Sequence, residues 1–315
     1  MIHLLNQEKV EPTLGEVETP FRQASGELSG SDTNSASSPA VPPLQYYGAA
    51  PSWRLVNGRE LWRHRELLWM LALRDLKVRY RQTIVGIGWV VLSPLAMGSI
   101  FVLFFGLLGR MPAPEGVPYA LIVLTGLLPW QLFAGTVTSC TTSLVANQHL
   151  IGKVYFPRLV LPMATAIPNL VDFAFALLLP VALMIYYRVS PSWPILLLPV
   201  FIVLVVSAAL AIGIWLSALN AIYRDVGYLV PFLLQLGFFL SPVVYATNAL
   251  IPKRWQSFVA LNPMVGALEG IRWSLFGAEK SPLVLVLTSA SVTTLILVTG
   301  LLYFRRVEGV LADRI

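Results

Sequence analysis

The sequence predicts an all-α integral membrane protein with six transmembrane helices, and three observations support that fold class. Of 315 residues, 56% are hydrophobic and only 12% are charged, whereas soluble domains carry about 25% charged residues. Six apolar segments approach the roughly 20 residues that a helix needs to cross the hydrocarbon core. Lys and Arg cluster before and between these segments. So little polar surface excludes a soluble globular enzyme.

The first 50 residues differ from the rest of the chain because they are polar and acidic. They are rich in Ser, Gly, Pro and Glu, and two basic against six acidic residues give a net charge of −4. Such a composition cannot bury enough apolar surface to offset its ordering entropy. We therefore expect 1–50 to be a disordered cytoplasmic tail. It lacks the basic start and apolar core of a signal peptide, so we expect it to be retained.

Residues 51–82 are predicted to contain an amphipathic helix that lies in the membrane interface. Across 58–81, basic residues recur at helical spacing on one side, and leucines backed by Trp62 and Trp69 lie on another. A basic amphipathic helix with tryptophans is typical of a membrane surface. Its charge favours the anionic cytoplasmic leaflet over nucleic acid as the partner. A surface helix packed on a soluble core is the alternative.

The transmembrane domain is predicted to occupy 83–315. Its six spans have approximate limits of 84–108, 118–140, 159–187, 194–219, 227–246 and 283–304. Prolines in the third and fifth spans predict kinks, because proline lacks a backbone donor and clashes with the preceding turn. Sixteen Lys and Arg residues fall on the N-terminal side of this arrangement and six on the other. The positive-inside rule therefore predicts that both termini are cytoplasmic.

The segment between spans five and six, 247–282, is longer than a simple loop. It is largely apolar but is interrupted at Asn262 and Pro263, and each half is too short to cross a membrane. This pattern predicts two short helices that dip into the outer leaflet or lie on it. A small folded cap outside the membrane is the alternative.

Ionisable residues are scarce inside the predicted spans, and this scarcity excludes several kinds of chemistry. His3, His64 and His149 all fall outside the spans, so we expect no metal site there. Asp172 is the only acidic residue in a predicted span, so paired carboxylates for acid–base catalysis or ion coupling are missing. Asn169 lies on the same helical face. The two residues either hydrogen-bond a neighbouring helix or belong to a transport pathway.

The sequence contains no Walker phosphate-binding motif, so we predict that the chain is not itself an ATPase. We expect no cofactor in this chain, and energy for active transport would have to come from another polypeptide.

The cytoplasmic loop 146–162 is the candidate contact for that partner. Asn147 is expected to cap a short helix, and Pro157 is expected to end it. Lys153 and Arg158 lie beside apolar residues that we expect to be exposed as a docking surface. An ordinary interfacial turn is the alternative. The apolar residues are Leu150, Ile151, Val154, Tyr155 and Phe156.

Four blocks of the sequence resemble one known family. The blocks are LALRDLKVRYRQTIVGIGWVVLSPL (71–95), NQHLIGKVYFPRLVLP (147–162), YRDVGYLVPFLLQLGFFLSPVVY (223–245) and LNPM (261–264). They are similar to the membrane subunit of type-2 ABC exporters, and most similar to the branch that exports lipid-linked polysaccharides such as bacterial O-antigen. The resemblance covers about residues 58–310 and does not include the first 50 residues.

The resemblance implies roles for several segments. Residues 58–81 would be the interface helix, and 247–282 would form the outer re-entrant helices. Arg224 and Asp225 would be the charged pair before span five, and Thr83 stands where serine is more common. A coupling helix at 147–157 would insert into the nucleotide-binding subunit. The coupling residues would be Asn147, Leu150, Ile151, Val154, Tyr155, Phe156, Pro157 and Arg158.

The resemblance also implies a homodimer that binds two copies of an ABC ATPase subunit, with ATP and Mg held by that partner. Spans one and five would border a glycan channel in which sugar rings stack on aromatic faces, although aromatic residues also serve as helix packing. The candidate lining residues are Trp89, Phe238, Phe239 and Tyr245. Basic residues at the cytoplasmic entrance would meet the pyrophosphate of a lipid carrier, although topology alone also explains them. These residues are Arg74, Lys77, Arg79 and Arg81.

The resulting expectation is a permease subunit in the bacterial inner membrane that exports lipid-linked polysaccharide and does not bind nucleic acid. A type-2 exporter of lipids or drugs is one alternative. A membrane protein of polysaccharide assembly that works without an ATPase is another, from a different functional class.

Overall fold

The computed structural model describes residues 58–81, 88–111, 116–153, 156–245, 247, 252–277 and 281–314. All of them belong to one compact unit, residues 49–315. The predicted tail, Thr83, Val154 and Tyr155 lie outside the described residues.

Every regular element in the described ranges is a helix, which confirms the predicted all-α class. The helices are α1 (Gly58–Arg63), α2 (Arg65–Arg81), α3 (Gly88–Phe101), α4 (Tyr119–Ala146), α5 (Gln148–Ile151), α6 (Val160–Ala164), α7 (Ala166–Ala176), α8 (Leu178–Tyr187), α9 (Leu198–Ile222), α10 (Val226–Leu240), α11 (Lys253–Val259), α12 (Pro263–Phe276) and α13 (Leu283–Arg314). A π-helical stretch, Val102–Leu108, extends α3, and a 3-10 turn, Trp193–Leu197, precedes α9.

Five runs of helix in the described residues are long and apolar enough to cross a membrane. They are Gly88–Leu108, Tyr119–Ala146, Val160–Tyr187, Trp193–Ile222 and Leu283–Glu308. They correspond to the predicted spans one, two, three, four and six. The remaining predicted span is represented by α10, which is apolar but only 15 residues long.

Helix α10 ends at Leu240, whereas the sequence analysis extended this span to residue 246. Ser241 has extended backbone angles, as expected for a residue that precedes a proline, because the Pro242 ring disfavours the helical conformation before it. The chain at 241–245 is irregular and buried against the start of α4, where the Tyr119 hydroxyl donates to the Val244 carbonyl at 2.7 Å.

The third span is divided into α6, α7 and α8 by breaks at Thr165 and Leu177. Each break lies three residues before a proline, Pro168 or Pro180. A proline ring crowds the carbonyl four residues earlier and provides no N–H for it. The predicted kinks in this span are therefore confirmed.

The helices enclose two apolar clusters. The larger one lies between α4, α9 and α12, and includes Leu121, Val205 and Leu268. The smaller one joins α2, the loop after α5 and the end of α13, and includes Phe156 and Phe304. Helices α4 and α9 approach closely at Gly213, where an added Cβ would lie 2.7 Å from the Cys140 Cβ. Small residues at such crossings let membrane helices pack tightly.

Two short helices, α11 and α12, occupy the segment for which the sequence predicted them. Asn262 caps α12, because its side-chain oxygen accepts a hydrogen bond from the Met264 amide at 3.0 Å. Ten of the 14 residues of α12 are buried, in contact with α9 and α13. This helix is therefore part of the helix bundle and does not form a separate folded cap.

Candidate functional site

A pocket of about 290 Å³ opens between the end of α2 and the helices α3, α4 and α7. Its lining combines aromatic and apolar faces with a set of polar side chains. The polar ones are Arg79, Tyr80, Ser93, Gln131, Asn169 and Asp172. In a helix bundle with this composition, such a concentration of polar groups in the spans marks the candidate site.

Asp172 is the centre of a hydrogen-bonded cluster at one side of the pocket. Its carboxylate pairs with the Arg79 guanidinium and also accepts a hydrogen bond from the Tyr80 hydroxyl. The same guanidinium donates to the Asn169 side-chain oxygen at 3.3 Å, and the Asn169 amide donates to the Thr165 carbonyl at 2.8 Å. The cluster therefore connects the interface helix α2 to α7.

Tyr80 is a neutral hydrogen-bond donor in this cluster. Burial, together with the hydrogen bond to Asp172 and the negative charge of that carboxylate, raises the pKa of Tyr80 to about 12, while the positive charge of Arg79 opposes this shift. At neutral pH the phenol therefore stays protonated and the Asp172 carboxylate keeps this donor.

Four residues that the sequence analysis assigned to three different roles lie together in this pocket. They are Arg79, Trp89, Asn169 and Asp172. The sequence analysis missed Gln131 and Ser93. The available signal for Gln131 was that it is the one amide side chain in the predicted span 118–140.

The other predicted entrance residues do not line the pocket. Arg74 pairs with Asp75 at 2.8 Å and donates to the Asn147 side-chain oxygen at 2.9 Å. Lys77 and Arg81 are exposed on α2. The four basic residues therefore lie in different surroundings, although their spacing in the sequence is regular.

The predicted channel aromatics differ in exposure. Trp89 is 62% exposed, and Phe239 is also exposed. Phe238 is half-buried, with its ring centre 5.5 Å from that of Phe101 and 5.8 Å from that of Trp130. Tyr245 is half-buried in the irregular segment after α10. Within this single chain, Phe238 therefore serves as packing between helices.

The loop predicted to be the coupling region contains a helix of only four residues, α5, which ends at Ile151 and not at Pro157. Asn147 occupies the position before it, but its side chain makes no capping hydrogen bond to α5, so that prediction is wrong. Its amide group instead donates to the Ser143 carbonyl at 2.8 Å, while its oxygen accepts from Arg74. Asn147 thus links this loop to α2.

Phe156 is buried, with an exposed fraction of 6%, and packs in the smaller apolar cluster. The expectation that it forms part of an exposed surface is wrong, because the following residues fold back into the bundle as α6. Leu150 and Ile151 are half-buried beside the same cluster. Among the described residues of 147–158, His149, Gly152 and Lys153 are exposed.

Pro157 and Arg158 connect the loop to the end of the last helix. The Arg158 guanidinium donates to the Glu308 carbonyl at 2.6 Å, and its backbone amide donates to the Glu308 carboxylate at 3.4 Å. Glu308 also lies 3.5 Å from the Arg305 guanidinium. The loop is therefore anchored to α13 on one side and, through Asn147, to α2 on the other.

The turn that carries the predicted charged pair is held by a residue that the sequence analysis did not single out. Arg224 and Asp225 are exposed before α10. Asn220 accepts a hydrogen bond from the Gly227 amide at 2.8 Å and donates to the Thr141 carbonyl at 3.1 Å. This buried amide therefore fixes the start of α10 against α4 and α9.

A second polar cluster, also missed by the sequence analysis, surrounds Arg272 in α12. This arginine is 5% exposed and donates to the Val243 and Tyr245 carbonyls at 2.7 and 2.8 Å. It also contacts the Glu269 carboxylate at 3.3 Å, which accepts from the Thr247 amide and hydroxyl. Irregular backbone within a membrane bundle needs internal partners, and Arg272 provides them for the chain after α10.

Among the described residues, no group of three or more His, Cys, Asp or Glu side chains is arranged to hold a metal ion.

Comparison with known proteins relates the chain to a family of membrane transporters. Residues 66–276 match the family described as ABC-2 type transporter. The chain is 33% identical to the O-antigen export system permease protein RfbA of Myxococcus xanthus, over 71% of this chain and 85% of that protein. It is 31% identical to the protein of the same name from Klebsiella pneumoniae, over 64% and 77% of the two chains.

A further relative is the polysialic acid transport protein KpsM of Escherichia coli, 26% identical over 77% of this chain and 94% of that protein. The match covers nearly all of α2, the residues that line the pocket and the loop 146–162. With its five long apolar helical runs, the chain is a multi-pass membrane protein, and it belongs to the ABC-2 type transporter family as a transporter membrane subunit.

Proposed function

We propose that this chain is the permease subunit of an exporter that moves lipid-linked polysaccharide, similar to O-antigen, across the bacterial inner membrane. The observation that carries the proposal is that two kinds of relative are polysaccharide permeases, those named for O-antigen export and those named for polysialic acid transport. They agree on the class of cargo while differing in the particular glycan.

The exporter works as a homodimer in which each copy contributes six spans, α10 with the irregular 241–245 segment being the fifth. Both termini are cytoplasmic. Support comes from the large exposed apolar side chains on α3 and α10, including Leu92 and Phe232, because a second copy and lipid together can cover them. Trp89, Phe239 and Tyr245 line the channel between the two copies.

Energy comes from two copies of an ATPase subunit, which bind ATP and Mg. The exposed part of the loop 147–158, centred on Lys153, contacts that subunit. Two anchors support this proposal, namely Arg74 with Asn147 on α2, and Arg158 with Glu308 on α13. Movement of the loop would therefore be transmitted to the interface helix and to the last span. Arg74, Lys77 and Arg81 face the lipid carrier at the cytoplasmic entrance.

Deletion of the gene in its own host tests the function. We expect lipid-linked glycan to accumulate on the cytoplasmic side of the membrane and the surface glycan to disappear, and we expect the intact gene to reverse both effects. Normal surface glycan in the deletion strain would contradict the proposal. Accumulation of a lipid without sugar would instead support a lipid exporter.

Co-purification in mild detergent tests the energy source. We expect a nucleotide-binding subunit to be recovered in a one-to-one ratio with the chain, and Lys153→Glu to weaken this association. Lys77→Glu, an exposed charge reversal on α2, is the matched control. Recovery of the intact chain without any ATPase would support the alternative of a membrane protein of polysaccharide assembly.

A further inference from the structure

The polar groups of the pocket between α2, α3, α4 and α7 are of two kinds. Arg79, Tyr80 and Asp172 are hydrogen-bonded to one another. The Gln131 amide and the Ser93 hydroxyl also line the pocket, and neither has a hydrogen-bond partner within the part of the chain that the structure describes. These two neutral groups therefore offer hydrogen-bonding capacity to a ligand.

The charges of the lining argue against an anionic ligand. Recognition of phosphate relies on cationic donors, but the charge of the Arg79 guanidinium is offset by the paired Asp172 carboxylate, and its Nη1 also donates to Asn169. The Asp172 carboxylate would in addition repel a phosphate. A neutral ligand with several hydroxyl groups needs no unpaired cation and is not repelled by the Asp172 carboxylate.

The pocket is small and has an aromatic side chain in its lining, and both features restrict the kind of ligand that it can bind. Trp89 lines the pocket and is 62% exposed, and a flat apolar ring such as its indole packs against the C–H face of a sugar ring. The volume of about 290 Å³ is at the small end of the roughly 300–1,000 Å³ range of ligand pockets. Such a space suits one sugar unit better than an extended chain.

Gln131 is half-buried in α4, so its unpaired amide is costly without a ligand or water. Asp172 lies twelve residues beyond Val160, where the third span begins. Polar side chains within membrane spans are energetically unfavourable, and they are typically retained for function.

We propose that this pocket binds one neutral sugar unit of the transported glycan, with Gln131 and Ser93 as hydrogen-bond partners and Trp89 as the stacking surface. The proposal rests on polysaccharide being the cargo. Arg79 then acts as a positioning residue that holds α2 against α7, and it does not contact the pyrophosphate of the carrier.

Thiol protection tests the assignment, because the chain has a single cysteine, Cys140, which is buried. In the purified complex, the Ser93→Cys variant is treated with N-ethylmaleimide, and the rate of thiol modification is measured. The reaction is run without ligand and then in the presence of each possible ligand. These ligands are the methyl glycosides of glucose, galactose and mannose, lipid-linked glycan extracted from the deletion strain, and inorganic pyrophosphate. Ser99→Cys is the matched control, since Ser99 is exposed on the same helix but does not line the pocket.

We expect the extracted glycan and at least one glycoside to slow modification of the Ser93→Cys variant by about fivefold or more, with no effect on the control. Pyrophosphate should have no effect. Equal protection by pyrophosphate would overturn the proposal in favour of a headgroup site. Absence of protection by every sugar probe would overturn it outright.

A second variant separates recognition from folding. Gln131→Leu, added to the Ser93→Cys chain, should remove the protection, whereas Trp193→Ala, at an exposed tryptophan outside the pocket, should retain it. Protection that survives Gln131→Leu would contradict the role of this amide. If the intact gene restores surface glycan but no sugar protects the introduced thiol of the Ser93→Cys variant, the assignment of the pocket is wrong and the proposed function stands. If deletion of the gene leaves surface glycan normal, the proposed function itself is wrong.

Discussion

The Arg79 guanidinium, near the end of the interface helix, pairs with the Asp172 carboxylate, 93 residues further along the chain in the third span. The pair is partly accessible, with side-chain exposures of 37% for Arg79 and 25% for Asp172. It attaches α2 to α7. Its strength therefore decides how firmly α2 is held beside the pocket.

Removing either partner should destabilise the protein, because the other charge is left without its hydrogen bonds. Arg79→Ala and Asp172→Ala are each expected to lower the free energy of unfolding by about 1–3 kcal/mol. The double variant should cost less than the sum of the two, since the groups are in contact. Denaturant unfolding in detergent measures all three.

Asp75→Asn is the control for this cycle, because its partner Arg74 forms an exposed pair with it. Exposed pairs contribute at most about 1 kcal/mol, so a smaller loss is expected. Strict additivity of the Arg79 and Asp172 substitutions would show that the pair does not couple α2 to α7.

The Tyr80 phenol should ionise only at high pH. Burial, with the neighbouring Asp172, raises its pKa from 10.0 to about 12. Because the pKa is higher in the folded state, the stabilisation is complete below pH 10 and is lost as the pH rises towards 12. Ultraviolet difference titration of the native chain against Tyr80→Phe isolates this group.

The same titration in an Asp172→Asn background should show a lower pKa for Tyr80, because the negative charge that opposes ionisation is removed. Tyr228, which is exposed on α10, provides the matched comparison through Tyr228→Phe. An ionisation of Tyr80 at or below pH 10 would contradict the buried hydrogen bond.

Phe156 should act through stability and not through direct contact with an ATPase. Because the side chain is buried in the smaller apolar cluster, Phe156→Ala is expected to lower the free energy of unfolding by about 3–5 kcal/mol. Lys153→Ala, at an exposed position three residues before Phe156, should leave stability nearly unchanged.

Thermal unfolding and co-purification, measured on the same preparations, distinguish the two effects. A Phe156→Ala chain as stable as the native one, but unable to bind its partner, would mean that Phe156 is exposed in the working complex.

Arg272 should be one of the residues most sensitive to substitution in the bundle. Arg272→Met removes the donors for the Val243 and Tyr245 carbonyls and leaves the Glu269 carboxylate without its cation. Loss of one partner from a buried pair costs about 3–5 kcal/mol. Arg254→Met, at an exposed arginine of α11, is the control, and unfolding in detergent is the measurement.

Adding Glu269→Gln to Arg272→Met should recover part of the loss, because the remaining amide carries no charge. A double variant that is less stable than the sum of its parts would contradict the role of the ion pair. That result would mean that Arg272 contributes to the free energy of unfolding mainly through its hydrogen bonds to backbone carbonyls.

The sequence by itself determined the membrane class, the positions of most helices and the kinks of the third span. These depend on local properties: apolar runs of sufficient length, and prolines such as Pro168 and Pro180 that remove a donor wherever they stand. The resemblance of four blocks also identified the family, which the comparisons confirm.

Only the tertiary structure decided which residues meet. In the sequence, Asp172 is a single acidic residue in an apolar span, and only the fold shows that Arg79 and Tyr80 of α2 contact it. Phe156 was expected to be exposed because it stands in a predicted short cytoplasmic loop, yet the fold buries it. Arg272, counted as a loop charge, satisfies backbone carbonyls within the bundle. Burial and pairing depend on helices distant in sequence, and no local pattern contains that information.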